Sequence, residues 1–136
     1  MSQILLARVR VLGRAVLPVA QSGIATLLLS GGTTAHSRFK IPISINMEST
    51  CFVPKQSNIA ELIRSADLIL WYECSITYRH AVEAVYGTLC DIMDTPNKLF
   101  GGKVVVFSGD FKQILLVVPR GTSSDVVNAC LNQSTL

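Results

Sequence analysis

Two stretches, Asp-Leu-Ile-Leu-Trp-Tyr-Glu at 67–73 and Lys-Val-Val-Val-Phe-Ser-Gly-Asp-Phe-Lys-Gln at 103–113, each carry an apolar run that ends in acidic or amide side chains. A strand with one wet face alternates apolar and polar residues. These two do not, so both of their faces must be covered, as in a parallel sheet flanked by helices. Ligands of such sheets bind in the crevice beyond the carboxyl ends of the strands, which places Glu73, Asp110 and Gln113 at one exit. The chain contains no Gly-x-x-x-x-Gly-Lys-[Ser/Thr] string, the loop whose backbone amides cradle a triphosphate.

The remaining patterns supply the helices. Ile4, Leu5, Val9 and Leu12 recur at helical spacing and Gly13 stands where a helix stops. A strand is predicted over about 14–20, then a short apolar helix from Ile24 to Leu29 with Ser22 as its N-cap. Gly31-Gly32 breaks the chain before the mixed segment 33–40, and Pro42 and Pro54 bracket an irregular excursion. Ser57 caps a helix to about Ala66, which leads into the strand at 67–72. Ala81, Val82, Val85, Leu89, Ile92 and Met93 give residues 78–93 one apolar helical face, ended by Thr95-Pro96-Asn97. A strand is expected at 103–108, a short strand or turn over 115–118, and a last helix capped by Ser123 or Ser124 and running to about Leu131. This order predicts an α/β layered domain with mainly parallel strands.

Composition narrows the class. In 136 residues, 49% are hydrophobic and 15% charged, which fits one domain with a buried core and excludes a disordered chain. The net charge of +3 is unevenly spread, because Arg8, Arg10, Arg14, Arg38 and Lys40 all precede the first acid, Glu48. Such a basic third either faces phosphates or only keeps the surface soluble. Cys51, Cys74, Cys90 and Cys130 form no Cys-x-x-Cys pair, and His36 and His80 lie at no ligand spacing from one, so reduced intracellular thiols are expected and no zinc site. Met1 to Ala20 is apolar, Arg-containing and free of acids, as mitochondrial presequences are, but its second half also reads as a strand. Pro18, Gln21 and Gly23 interrupt the run from Val16 to Leu29, which is too short to cross a bilayer.

Five strings together carry a resemblance: Gln21-Ser22-Gly23-Ile24-Ala25, Gly31 to Pro42 with its Ala35-His36-Ser37-Arg38-Phe39, Leu70-Trp71-Tyr72-Glu73, Phe100-Gly101-Gly102-Lys103, and Gly109-Asp110-Phe111-Lys112-Gln113. Over nearly its whole length the chain resembles the Pif-family DNA helicases, in particular their plant and Helitron-transposon branch. The resemblance implies a partial RecA-like domain of three to four mostly parallel strands over residues 1–136. It also implies ATP hydrolysis with Mg2+, and 5′ to 3′ translocation on single-stranded DNA.

The resemblance assigns Glu73 the role of the glutamate that polarises the attacking water, and Gln113, shaped by Gly109 and Asp110, the sensing of the γ-phosphate. It assigns Ser22, Gly23, Thr34, His36, Ser37, Arg38 and Phe39 to the contact with single-stranded DNA, Phe39 as a stacking face or, the commoner place for such a ring, a core residue. Tyr72 stands where the family carries the aspartate that holds magnesium through its water shell, and a neutral phenol does not replace that charge. No metal ligand is therefore expected in this chain. Leu116 occupies a usual proline position. Gln3 to Leu12 resembles the distal part of the helix that follows the phosphate loop, so the chain reads as a truncated copy lacking that loop and the second motor domain, inactive alone. The alternative is a non-catalytic nucleic-acid or protein interaction module. Work in telomere upkeep, repair and recombination is what the resemblance implies; a nuclear location is expected, or, from the presequence-like amino terminus, a mitochondrial one.

Overall fold

The computed structural model describes residues 1–113 and 116–136. Its core is a four-stranded sheet of β1 (Val16–Ala20), β2 (Thr33–Thr34), β3 (Leu68–Tyr72) and β4 (Val104–Ser108), in the order β2-β1-β3-β4 and parallel throughout. The register is continuous across the three longer strands: Ala20 lies beside Tyr72, and Tyr72 beside Ser108. All four carboxyl ends therefore point the same way.

Covering both faces requires alternate residues to be apolar on both sides, and they are. Leu17, Val19, Ile69, Trp71, Val105 and Phe107 face the larger cluster. That face is roofed by α3 (Ala35–Phe39), α4 (Asn58–Ser65) and α5 (Arg79–Ile92). Ala20, Leu70 and Val106 face a smaller cluster completed by Leu6 of α1 (Ser2–Val11), Ala25 of α2 (Gly23–Thr26), and Leu29. A chain of rings, Phe39 to Trp71 at 5.7 Å, Trp71 to Phe107 at 5.9 Å and Phe107 to Phe100 at 5.8 Å, runs through the larger one. Pro18 sits inside β1 without breaking it, because β2 reaches only Val19 and Ala20 and leaves one edge of β1 unpaired at the proline.

The sheet and the order of elements agree with the sequence reading, while several details differ. The segment 33–40 contains β2 and α3, too short for any periodicity to reveal. Helix α2 stops at Thr26, and turns carry the chain to Gly32. The N-cap of α6 (Ser123–Ala129) is Thr122, in a reciprocal capping box with Asp125. Of the strand or turn expected over 115–118, residue 115 lies outside the described residues and 116–118 form neither strand nor helix. Entry to β4 needs backbone at positive φ over Phe100, Gly101 and Gly102, and a Cβ on Gly101 would stand 2.6 Å from the Leu89 carbonyl oxygen. All four cysteines are free and buried. Among the described residues no helix is long and apolar enough to cross a membrane.

Candidate functional site

Because the strands are parallel and in register, whatever follows each carboxyl end joins one rim. Thr34 ends β2, Ser22 lies two residues past β1, Glu73 follows β3 and Asp110 lies two residues past β4. In the lateral order of the sheet these are four neighbours, spread over three strand spacings of about 4.8 Å each. Between the ends of β3 and β4 opens a cavity of about 330 Å³ lined by Tyr72, Glu73, Ser75, Ile76, Ser108, Gly109 and Asp110.

Glu73 adopts a left-handed backbone conformation, φ 57° and ψ 34°, as the chain leaves β3 for the 3-10 turn Cys74–Ile76. A non-glycine residue there costs of order 1–3 kcal/mol and needs surrounding structure to hold it. The hold comes from the neighbouring strand end. The Ser22 hydroxyl donates to Glu73 Oε2 at 2.8 Å, Gln21 N–H donates to the Tyr72 carbonyl at 3.1 Å, and Thr77 donates to Gln21 Oε1 at 2.9 Å. Thr77 is fully buried, so that last bond satisfies a hydroxyl which would otherwise be orphaned. Cys74, beside Glu73, is also fully buried; burial pushes its thiol up to about 11 and keeps it protonated.

Across the cavity, Gly109 is required by close approach. A Cβ there would meet the Ser75 amide nitrogen and Oγ, each at 2.9 Å. Asp110 is exposed and accepts the Lys112 N–H at 2.9 Å, which starts the turn Phe111–Gln113. That turn packs against Cys74–Ile76, and the side chain of Gln113 lies outside the described residues.

At the other end of the rim Ser22 and Thr34 do parallel work. Each hydroxyl caps a short helix, Ser22 accepting from Ala25 N–H and Thr34 from Ser37 N–H, both at 3.2 Å. Gly23 and Ser37 are exposed beside them, and Arg38 Nε donates to the Thr33 hydroxyl at 3.1 Å. His36 is half-buried, and desolvation lowers its pKa below the usual 6.5, favouring the neutral ring. Of the two places expected for Phe39, a stacking face and the core, the ring takes the core: only 1% of it is exposed and it packs on Trp71, which leaves no free face for a base.

Three residues of this neighbourhood carried no sequence signal. Ser2 opens α1, and its hydroxyl lies 3.4 Å from that of Ser108; with Met1, Gln3, Leu28, Leu29 and Tyr72 it lines a second cavity of about 200 Å³. The amino end of α1, with no acid in its first turn, thus meets the rim with its positive dipole end. Ser75 and Thr77 are isolated hydroxyls in sequence, and only burial beneath the rim gives them a role. Tyr72, half-buried, puts a phenol at the end of β3. No group of three or more His, Cys, Asp or Glu side chains gathers among the described residues; Glu73 and Asp110 are the two carboxylates on the cavity, and magnesium ordinarily takes one or two carboxylates together with phosphates and water.

Several solved structures share this fold. Pif1 from Bacteroides bound to single-stranded DNA is 26% identical, with a TM-score of 0.72 over 84% of this chain and 26% of that one. The Bacteroides Pif1 complex with ADP-AlF3 and single-stranded DNA is 24% identical, with a TM-score of 0.70 over 84% and 26%. Pif1 helicase from Candida albicans is 20% identical, with a TM-score of 0.65 over 97% and 29%; at such identities the likeness is one of fold. The chain spans about a quarter of the length of these proteins. No curated protein matches. The family model for the PIF1-like helicases matches residues 1–136, and the chain belongs to that family.

Proposed function

We propose that these residues form the nucleotide-switch and strand-contact part of an ATP-driven helicase that moves 5′ to 3′ on single-stranded DNA. The observation that carries the reading is the single rim on which Glu73 and Asp110 share a cavity beside Ser22. In this reading Glu73 accepts a proton from the attacking water, and Gln113 reports the γ-phosphate as a neutral amide. Backbone N–H groups and hydroxyls at Ser22, Gly23, Thr34 and Ser37 hold strand phosphates, with Arg38 adding charge. His36 borders that contact without adding charge, because burial favours its neutral form.

Magnesium would come with the nucleotide, held by its phosphates and water, and Tyr72 offers it no charge. Residues 1–136 contain no phosphate loop, and on their own they are expected to release phosphate from magnesium-ATP only at background rate. Sustained release that depends on Glu73 overturns that expectation. The helicase reading is tested in a protein that joins these residues to a phosphate-loop segment and a second motor domain. There Glu73→Gln is expected to lower ATP turnover by about 10²- to 10⁴-fold with nucleotide binding kept; unchanged turnover overturns it.

Tyr72 at the end of β3 favours a second reading, a non-catalytic single-strand binder built on the same rim. Both readings expect salt-dependent binding of an oligo-dT by the chain, weakened by Arg38→Ala. They part on turnover: restoring an aspartate by Tyr72→Asp in the joined protein raises it only under the first. A nuclear location goes with either reading.

A further inference from the structure

We propose that Ser22 is a positioning residue that ties Glu73 to the strand-contact face, and that a nucleic-acid phosphate releases Glu73 by taking the Ser22 hydroxyl proton as its own hydrogen bond. This rests on the reading of Ser22 as a phosphate contact and Glu73 as the base.

A serine hydroxyl has one O–H to give and lone pairs to receive. In this structure the donor goes to Glu73 Oε2 at 2.8 Å and a lone pair takes the Ala25 N–H at 3.2 Å. Ser22 is therefore both the N-cap of α2 and the clamp on a carboxylate of the neighbouring strand end. A phosphate oxygen arriving at Ser22 needs a donor, and the hydroxyl cannot serve the phosphate and Glu73 together. Occupation of the strand-contact face costs Glu73 this partner and frees its carboxylate to turn into the cavity it lines. The left-handed backbone at Glu73 fits a residue held by its surroundings, since that conformation persists only where neighbours enforce it. By linkage the reverse holds as well: removing the carboxylate must make Ser22 a better phosphate donor.

Cap and clamp separate chemically. Aspartate caps a helix about as well as serine but has no proton to give, whereas asparagine both caps and donates. The 136-residue chain, with Glu side chains labelled at 13Cδ, is titrated with a single-stranded oligo-dT, followed by fluorescence anisotropy and by the Glu73 Cδ resonance. In the unaltered chain the Glu73 signal is expected to move as the oligonucleotide saturates, and Ser22→Asn keeps that response. Ser22→Asp abolishes the response while its thermal melt stays that of a capped helix, and Glu73→Ala tightens oligonucleotide binding at least about fivefold.

Saturating binding with an unmoved Glu73 signal, or Ser22→Asp responding like Ser22→Asn, overturns the tie and leaves the strand-contact reading standing. Absence of any oligonucleotide binding overturns both.

Discussion

Phe39 and Gly109 show how a single side chain is decided by its surroundings. Phe39 stands in a string of polar and basic residues, yet its ring is 1% exposed and stacks into the aromatic chain beginning at Trp71. Phe39→Ala is expected to destabilise the fold by about 3–5 kcal/mol, read by urea denaturation, and to weaken oligonucleotide binding only in proportion to the unfolded fraction. Gly109 is not at positive φ but has no room, with Ser75 atoms 2.9 Å from where a Cβ would stand. Gly109→Ala is expected to cost about 1–3 kcal/mol by forcing the ends of β3 and β4 apart. A thermal melt measures the cost, and amide shifts at Ser75 and Glu73 show whether the cavity opened.

At the scale of elements, short helices here depend on their caps. Helix α4 begins at Ser57, whose hydroxyl accepts the Ala60 N–H at 3.2 Å and donates to the Pro54 carbonyl at 2.7 Å. Ala60 and Ile63 are fully buried on its inner face, so the cap sets where that face meets the sheet. Ser57→Ala is expected to lower stability by about 1 kcal/mol, measured by chemical denaturation, and Ser57→Asp to restore most of it. This helix was legible in the sequence because cap, acid in the first turn and apolar spacing agreed. Helix α3 was not, since a five-residue helix following a two-residue strand presents no period to detect.

For the whole molecule, the closing of the carboxyl-terminal segment onto α5 is a contact open to acid. Glu83 accepts from Ser134 at 2.9 Å and lies 2.9 Å from His80 Nδ1, while Arg79 donates to the Gln133 carbonyl at 3.1 Å. Burial by itself would raise the Glu83 pKa, but the bonds to His80 and Ser134 and the nearby Arg79 charge outweigh it and bring it below the ordinary 4.5. A carboxyl depressed in the folded state stabilises above its unfolded pKa, and that contribution is lost as pH falls through the folded value. Melting temperature is therefore expected to drop as pH goes from neutrality to about 3, with a smaller drop in Glu83→Gln. Equal drops in the two proteins would remove Glu83 from the account.

The sequence by itself determined the layered α/β class, the runs that form β3 and β4 and the polar residues at their ends, because strands of a helix-flanked parallel sheet read as continuous apolar runs and chemistry collects where the run stops. It also placed Glu73 and Asp110 at one exit and marked Ser22 separately as a cap. Tertiary structure alone decided that Ser22 stands beside Glu73, since strand order and register are set by long-range pairing that no local pattern records. It decided as well that Phe39 faces inward, that Ser75 and Thr77 support the rim from beneath, and that the one proton of Ser22 is given to Glu73. Each depends on which neighbour packing brings within hydrogen-bonding or van der Waals reach.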